Sequence, residues 1–180
     1  MERLIDIKSY NDILAEYQET PIGLLLEYHN LNKEYDTYSE AQMLIGMCMD
    51  NRKHLHIPDN FSFILRAGGA NLRHSEFKVS YAIAVGGVRY IAIIGHNNCG
   101  MVNLKSRKNI FIDGLVDFAG WNAEDAKKHF EASEPIFEID NEIDFVISEA
   151  QRLRLRYPKV KVAPMFYNVN DNRLYLIREN

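Results

Sequence analysis

Two short stretches of this chain hold both of its cysteines: Ile45-Gly46-Met47-Cys48-Met49-Asp50-Asn51-Arg52 and Ile94-Gly95-His96-Asn97-Asn98-Cys99-Gly100-Met101. Each reads as a buried strand running straight into a polar turn. In an open α/β sheet, chemistry collects outside the carboxyl ends of strands, at a crevice where strand order reverses. Two adjacent strands can therefore bring Cys48, His96 and Cys99 to one point. Two thiolates and one imidazole make a zinc set with a fourth position to spare. A bare His-x-x-Cys pair is a weak signal, however, and a lone cysteine is more often a small buried hydrophobe. The residues alone leave both possibilities open, a shared metal site and a pair of packed thiols.

Asp50 and Arg52 add to the first possibility. In an extended turn the Cys-x-Asp-x-Arg spacing points Cys48, Asp50 and Arg52 toward one side. An aspartate held by a guanidinium stays ionised and oriented, and can accept a hydrogen bond from a water on a metal. The alternative is an ordinary surface ion pair, which contributes little.

The elements around these turns are those of an α/β chain. Gln42 to Cys48 is an apolar run without alternation, as expected of a parallel strand covered on both faces. A second strand, Phe61 to Leu65, enters the glycine-rich turn Arg66-Ala67-Gly68-Gly69-Ala70-Asn71. A helix then opens at Ser75 and runs to about Val85, with Phe77, Tyr81, Ala82 and Val85 at helical spacing. The third strand is Tyr90 to Ile94, so the order implies a right-handed parallel crossover. Short helices are expected around Phe111 to Phe118 and Ala123 to Ala132. A long amphipathic helix carries Ile139, Ile143, Val146, Ala150, Leu153 and Tyr157 on a 3.6-residue period. Val160 to Val169 is a fourth strand, and the turn at Asp171-Asn172 makes a fifth, Leu174 to Ile177, antiparallel to it. Before the first strand, residues 1 to 38 read as a helical arm broken at Thr20-Pro21. The arm is rich in tyrosine, and it packs either on a neighbouring subunit or back on its own core.

Length and composition fit one soluble domain. The chain has 180 residues and a formal net charge of -4, so it shows no basic footprint for nucleic acid. No apolar run reaches the roughly 18 residues of a membrane span. The start Met1-Glu2-Arg3-Leu4-Ile5-Asp6 lacks a signal-peptide pattern, and a cytoplasmic location is expected. In a reducing compartment two cysteines point to metal or catalysis rather than to a disulfide.

The stretches Cys48-Met49-Asp50-Asn51-Arg52 and Gly95-His96-Asn97-Asn98-Cys99-Gly100 resemble the β-class carbonic anhydrases. Their pattern is Cys-x-Asp-x-Arg followed by Gly-His-x-x-Cys-Gly. The resemblance covers residues 42 to 101 most firmly, and the compact length is similar to the small bacterial and archaeal branch. It implies a single α/β domain with a central, mostly parallel sheet of about four parallel strands plus one antiparallel. Helices flank that sheet, the arm spans residues 1–38, and the zinc domain spans 39–180. It also implies that Cys48, His96 and Cys99 bind Zn2+. Asp50 then either partners a zinc-bound hydroxide or, in a closed resting form, becomes the fourth ligand, while Arg52 holds Asp50 off the metal.

The implied reaction is the reversible hydration of CO2 to bicarbonate and a proton, with an alkaline optimum because two thiolates make the zinc-bound water less acidic. The implied assembly is a homodimer or a dimer of dimers. A carbonyl sulfide or carbon disulfide hydrolase on the same zinc set is the alternative, and a catalytically silent zinc-binding homologue is a third. Four departures from the family pattern bear on the shape of the pocket: Ala67 after Arg66, Asn71 one place late, Phe77 or Lys78 where a serine usually precedes the tyrosine of the following helix, and Ala163-Pro164-Met165-Phe166-Tyr167-Asn168 in the last parallel strand. His54 and His56 are candidates for relaying protons along a segment that Lys53 and Pro58 mark as exposed. His29, His74 and His129 are expected at the surface or in packing.

Overall fold

The computed structural model describes residues 3–179. Six strands form one sheet in the order β1 (Leu4–Asp6), β6 (Arg173–Ile177), β5 (Lys161–Asn168), β4 (Tyr90–His96), β2 (Met43–Met47), β3 (Ser62–Arg66). β3, β2, β4 and β5 run parallel, while β6 is antiparallel to both β5 and β1. The antiparallel β5–β6 pair turns at Asp171-Asn172, where Asn172 adopts the left-handed conformation. Chain order places β3 on one side of β2 and then sends β4 to the other side. The crevice between the carboxyl ends of β2 and β4 is thus the point where strand direction of travel reverses.

Alternation along the strands explains why both faces need cover. Met43, Ile45, Met47, Ala92, Ile94, Ala163, Met165 and Tyr167 join one buried cluster, with α1 (Pro21–Leu31) and the residues before it. Leu44, Ile91, Ile93, Val162 and Phe166 join the other, under α2 (Glu76–Ala84) and α5 (Glu142–Arg156). The two remaining helices, α3 (Lys108–Ala119) and α4 (Ala123–Phe137), pack on each other beside the crevice.

Three expectations change. Of the arm expected to be helical on both sides of a break at Thr20-Pro21, Pro21–Leu31 is α-helix, capped by Thr20, whereas Leu4–Asp6 is a strand. Leu4 pairs with Ile177, and Ile7, Ile13, Tyr17, Leu25 and Tyr28 are buried against this chain's own sheet. On α2 the side chains that pack inward are Val79 and Ala82, while Phe77, Tyr81 and Val85 are exposed. Lys53 and Pro58 are buried, so they do not mark an exposed segment. Residues 1, 2 and 180 lie outside the described residues. Among the described residues, no helix is long and apolar enough to cross a membrane.

Candidate metal centre

Cys48 follows β2 directly, and His96 is the last residue of the neighbouring β4. Met47 pairs with Ile94 in the parallel register, so the two strands end almost level. Between His96 and Cys99 the chain doubles back through Asn98, whose φ of 56° is left-handed, a conformation asparagine tolerates well. The result is one donor group: Cys48 Sγ, a His96 ring nitrogen and Cys99 Sγ all lie within 4.8 Å of one another. Gly95, ahead of His96, lets α5 approach. A Cβ there would stand 2.7 Å from Val146 Cγ2.

The two sulfurs are 4.0 Å apart, free thiols rather than a disulfide. Cys48 is drawn well down from an ordinary thiol, first by its hydrogen bond with Cys99 and then by the backbone N–H groups of Asp50 and Gly69. Cys99 is pushed up, first by the same pairing with Cys48 and then by burial. The glycine-rich turn contributes directly: the Gly69 N–H, 3.4 Å from Cys48 Sγ, is delivered by a residue at φ 63°. Ile139, Met101, Val102 and Phe145 cover the thiols with apolar surface.

His96 is fully buried. Its Nδ1 donates to the Asn97 carbonyl at 2.9 Å, which fixes the tautomer and leaves a lone pair on Nε2. That Nε2 is buried and has no hydrogen-bond partner. A nitrogen lone pair without a donor beside two thiols is a costly arrangement unless a cation completes it. The soft sulfur and imidazole donors suit zinc.

Asp50 is not in the donor group; its carboxylate is turned onto Arg52. Arg52 Nε lies 2.9 Å from Oδ1 and Nη2 lies 2.6 Å from Oδ2, and the Arg52 backbone N–H adds a third bond at 2.9 Å. The Arg52 side chain, foremost, and then its backbone N–H hold the Asp50 carboxyl far below the usual carboxylate range. The same guanidinium donates to the Asn98 carbonyl at 3.0 Å, tying the first turn to the second.

Several parts of the site escaped the sequence. Arg66, at the end of β3, reaches the carbonyls of Cys48, Asp50 and Lys53 and so braces the turn. Glu142 accepts the Cys99 N–H at 3.3 Å. Lys53 is buried with its Nζ 3.9 Å from Asp50 Oδ1. Nothing in a Lys53-His54 dipeptide distinguishes such a lysine from a solvated one. His54 and His56 are exposed, and the His56 ring lies against His29.

Beside the centre is a cavity of about 300 Å³ whose wall is mostly apolar, with Met49, Met101, Leu104, Phe111, Phe130 and Phe137, but also carries His129, Ser133 and Glu134. A larger cavity, about 610 Å³, lies at the amino end of β5 beside Tyr17, Arg154 and Lys161, remote from the cysteines. Its Arg154 is already committed to Glu179 and the Val162 carbonyl.

The profile of one protein family, carbonic anhydrase, matches residues 44–173. Solved structures match as well. The carbonic anhydrase from Glaciozyma antarctica is 20% identical with a TM-score of 0.59, over 76% of this chain and 83% of that one. The β-carbonic anhydrase isoform I of Trichomonas vaginalis is 18% identical with a TM-score of 0.63, over 83% and 91%. An apo form of a carbon disulfide hydrolase is 18% identical with a TM-score of 0.55, over 78% and 80%. At these identities the structural likeness speaks for the fold. No curated protein matches the sequence significantly.

Proposed function

Because this chain belongs to the β-class carbonic anhydrase family, we propose that it hydrates CO2 reversibly to bicarbonate and a proton, with zinc on Cys48, His96 and Cys99 and with Asp50 and Arg52 as the catalytic pair. The observation that carries this reading is the buried, unpartnered Nε2 of His96 facing two thiols. Zinc on those donors supplies Lewis acidity, and with it a nucleophilic oxygen from water near neutral pH.

The chain's own residues do the rest. Asp50, kept ionised by Arg52, is a hydrogen-bond acceptor at every physiological pH. It would accept a hydrogen bond from the attacking oxygen, which keeps its own hydrogen, and so turn that oxygen's lone pair toward the carbon. A carboxyl held so low is too weak a base to carry the released proton away, so the proton leaves by another group or by solvent. Arg52 fixes both carboxylate oxygens and would keep Asp50 from turning onto a metal held by the three donors. The mostly apolar cavity beside the centre, rich in methionine and phenylalanine, would suit an uncharged, linear substrate.

That apolar wall also favours a second reading, hydrolysis of carbonyl sulfide or carbon disulfide on the same donor set. Stopped-flow CO2 hydration and sulfide release from either sulfur compound, run on one zinc-analysed preparation, separate the two. We expect CO2 turnover that Arg52→Ala lowers by about 10- to 100-fold with zinc retained. Full zinc with no CO2 hydration would overturn the first reading, and no turnover of any of the three compounds would mean a silent homologue.

We also infer a homodimer or a dimer of dimers in the cytoplasm, where two thiols stay reduced. Edge strand β3 exposes Phe63 and Ile64 next to the exposed Phe77, Tyr81 and Val85 of α2, an apolar face at an unpaired sheet edge. A monomer in sedimentation at micromolar concentration would contradict the assembly.

A further inference from the structure

Lys53 is an unusual residue to find inside a protein. Its side chain is wholly shielded from solvent, and its Nζ has no hydrogen-bond partner. Buried ammonium groups are rare unless paired, because desolvating the charge is costly. Burial pushes the Lys53 ammonium down from its ordinary value, while the facing Cys48, Asp50 and Cys99 groups pull it back up. The nearest carboxylate oxygen is Asp50 Oδ1 at 3.9 Å. That oxygen already accepts two bonds from Arg52, one from the backbone N–H and one from Nε.

The two cations nearest the Asp50 carboxylate differ in exposure as well as in hydrogen bonding. The Arg52 side chain is 44% exposed, whereas that of Lys53 is 0% exposed. Solvent and salt screen the hold of Arg52, but they screen a buried charge much less. Arg66 keeps Lys53 in place by bonding its carbonyl together with those of Cys48 and Asp50, so the turn cannot relax away from the amine.

We propose that Lys53 is a positioning residue that anchors the Asp50 carboxylate from the protein interior, so that Asp50 stays turned away from the Cys48–His96–Cys99 donors when the exposed Arg52 contact loosens. This rests on the metal-centre reading above. Arg52 supplies geometry, through two-pronged hydrogen bonds; Lys53 supplies a field that does not depend on the solvent side. Without Lys53, Asp50 is two residues from Cys48 with one screened tether, and it would be free to turn toward the Cys48–His96–Cys99 donors.

Cobalt(II)-substituted protein tests the idea, since its visible spectrum reads coordination directly. Lys53→Met keeps the length and apolar stem and removes the charge. We expect it to bind one equivalent of metal, to change the cobalt spectrum relative to wild type, and to lower turnover by about 10-fold. In the Lys53→Met/Asp50→Ala double variant the spectrum should coincide with that of Asp50→Ala alone, since Lys53 acts through Asp50. A Lys53→Met spectrum identical to wild type would overturn the proposal, as would independent, additive effects in the double variant. If Lys53→Met fails to fold, a crystal structure of zinc-loaded wild type decides. Nζ within about 4 Å of an Asp50 turned off the metal supports the anchor, and Nζ bonded elsewhere overturns it. Arg52→Ala is the control for the underlying reading: if its cobalt spectrum is also unchanged, the reading of the Asp50–Arg52 pair has failed, which is a different result from the failure of Lys53 alone.

Discussion

Two histidines in this molecule are buried, and they differ in one atom's surroundings. His29, on α1, gives its Nε2 to the Asn172 carbonyl at 2.9 Å, and its Nδ1 accepts the His56 backbone N–H at 3.1 Å. His96, at the end of β4, also gives one ring nitrogen to a backbone carbonyl, but its other nitrogen meets only sulfur. Both rings are shielded and both tautomers are fixed by a carbonyl. The first is complete within the protein, and the second leaves a nitrogen without a partner beside two sulfurs that could hold a cation with it. Burial therefore does not separate a core histidine from a ligand; the partner of the second nitrogen does.

The largest effect should come from breaking the His96 side of the comparison. Cys48→Ser or His96→Ala should remove the zinc, reduce CO2 hydration to the uncatalysed rate, and lower stability. Metal binding is folding energy here, roughly 4 kcal/mol where free zinc stands a thousandfold above its Kd. Melting with and without a chelator checks it: the chelator should lower the wild-type Tm and leave the variants unmoved.

The His29 side should respond to pH instead. Burial, foremost, and the charge of His56 push His29 down from 6.5 to about 4. The unfolded chain takes up this proton before the folded one does. The stability His29 contributes is thus complete above its unfolded pKa and is lost as pH falls from about 6.5 toward about 4. Between pH 7.5 and 5 the loss is about 2 kcal/mol. Urea unfolding of wild type and His29→Gln should show a shallower pH dependence in the variant; parallel curves would mean that His29 is not buried neutral. The smallest effect belongs to His56→Ala. His29 uses the backbone N–H of residue 56, which alanine keeps, so stability should change by less than about 0.5 kcal/mol.

The same contrast between local and distant partners governs what could be read in the sequence. β2, β4 and β5 were legible as apolar runs, because a strand buried on both faces has no polar alternation. α5 was legible from its period, but it begins at Glu142 behind Asn141, whose side chain caps the Ile143 and Asp144 N–H groups, so Ile139 falls outside it and packs on the thiols instead. β1 was not legible. Its three residues become a strand only because Leu4 meets Ile177 at the far end of the chain. The α2 stripe of Phe77, Tyr81 and Val85 had the right period and the wrong face, since periodicity shows that a side of a helix is apolar and not what covers it. At the site, Cys48, His96, Cys99, Asp50 and Arg52 stood out by type and spacing. Lys53 and Arg66 did not, because their roles come from an anion and from carbonyls that the fold brings to them.

The most direct test of the central claim is zinc X-ray absorption on the purified wild-type protein, with metal content measured on the same sample. The account predicts about one zinc per chain, with two sulfur neighbours at about 2.3 Å, one imidazole nitrogen at about 2.0–2.1 Å and one further light atom. A protein that folds and turns over CO2 without zinc, or a zinc with no sulfur in its first shell, would contradict it.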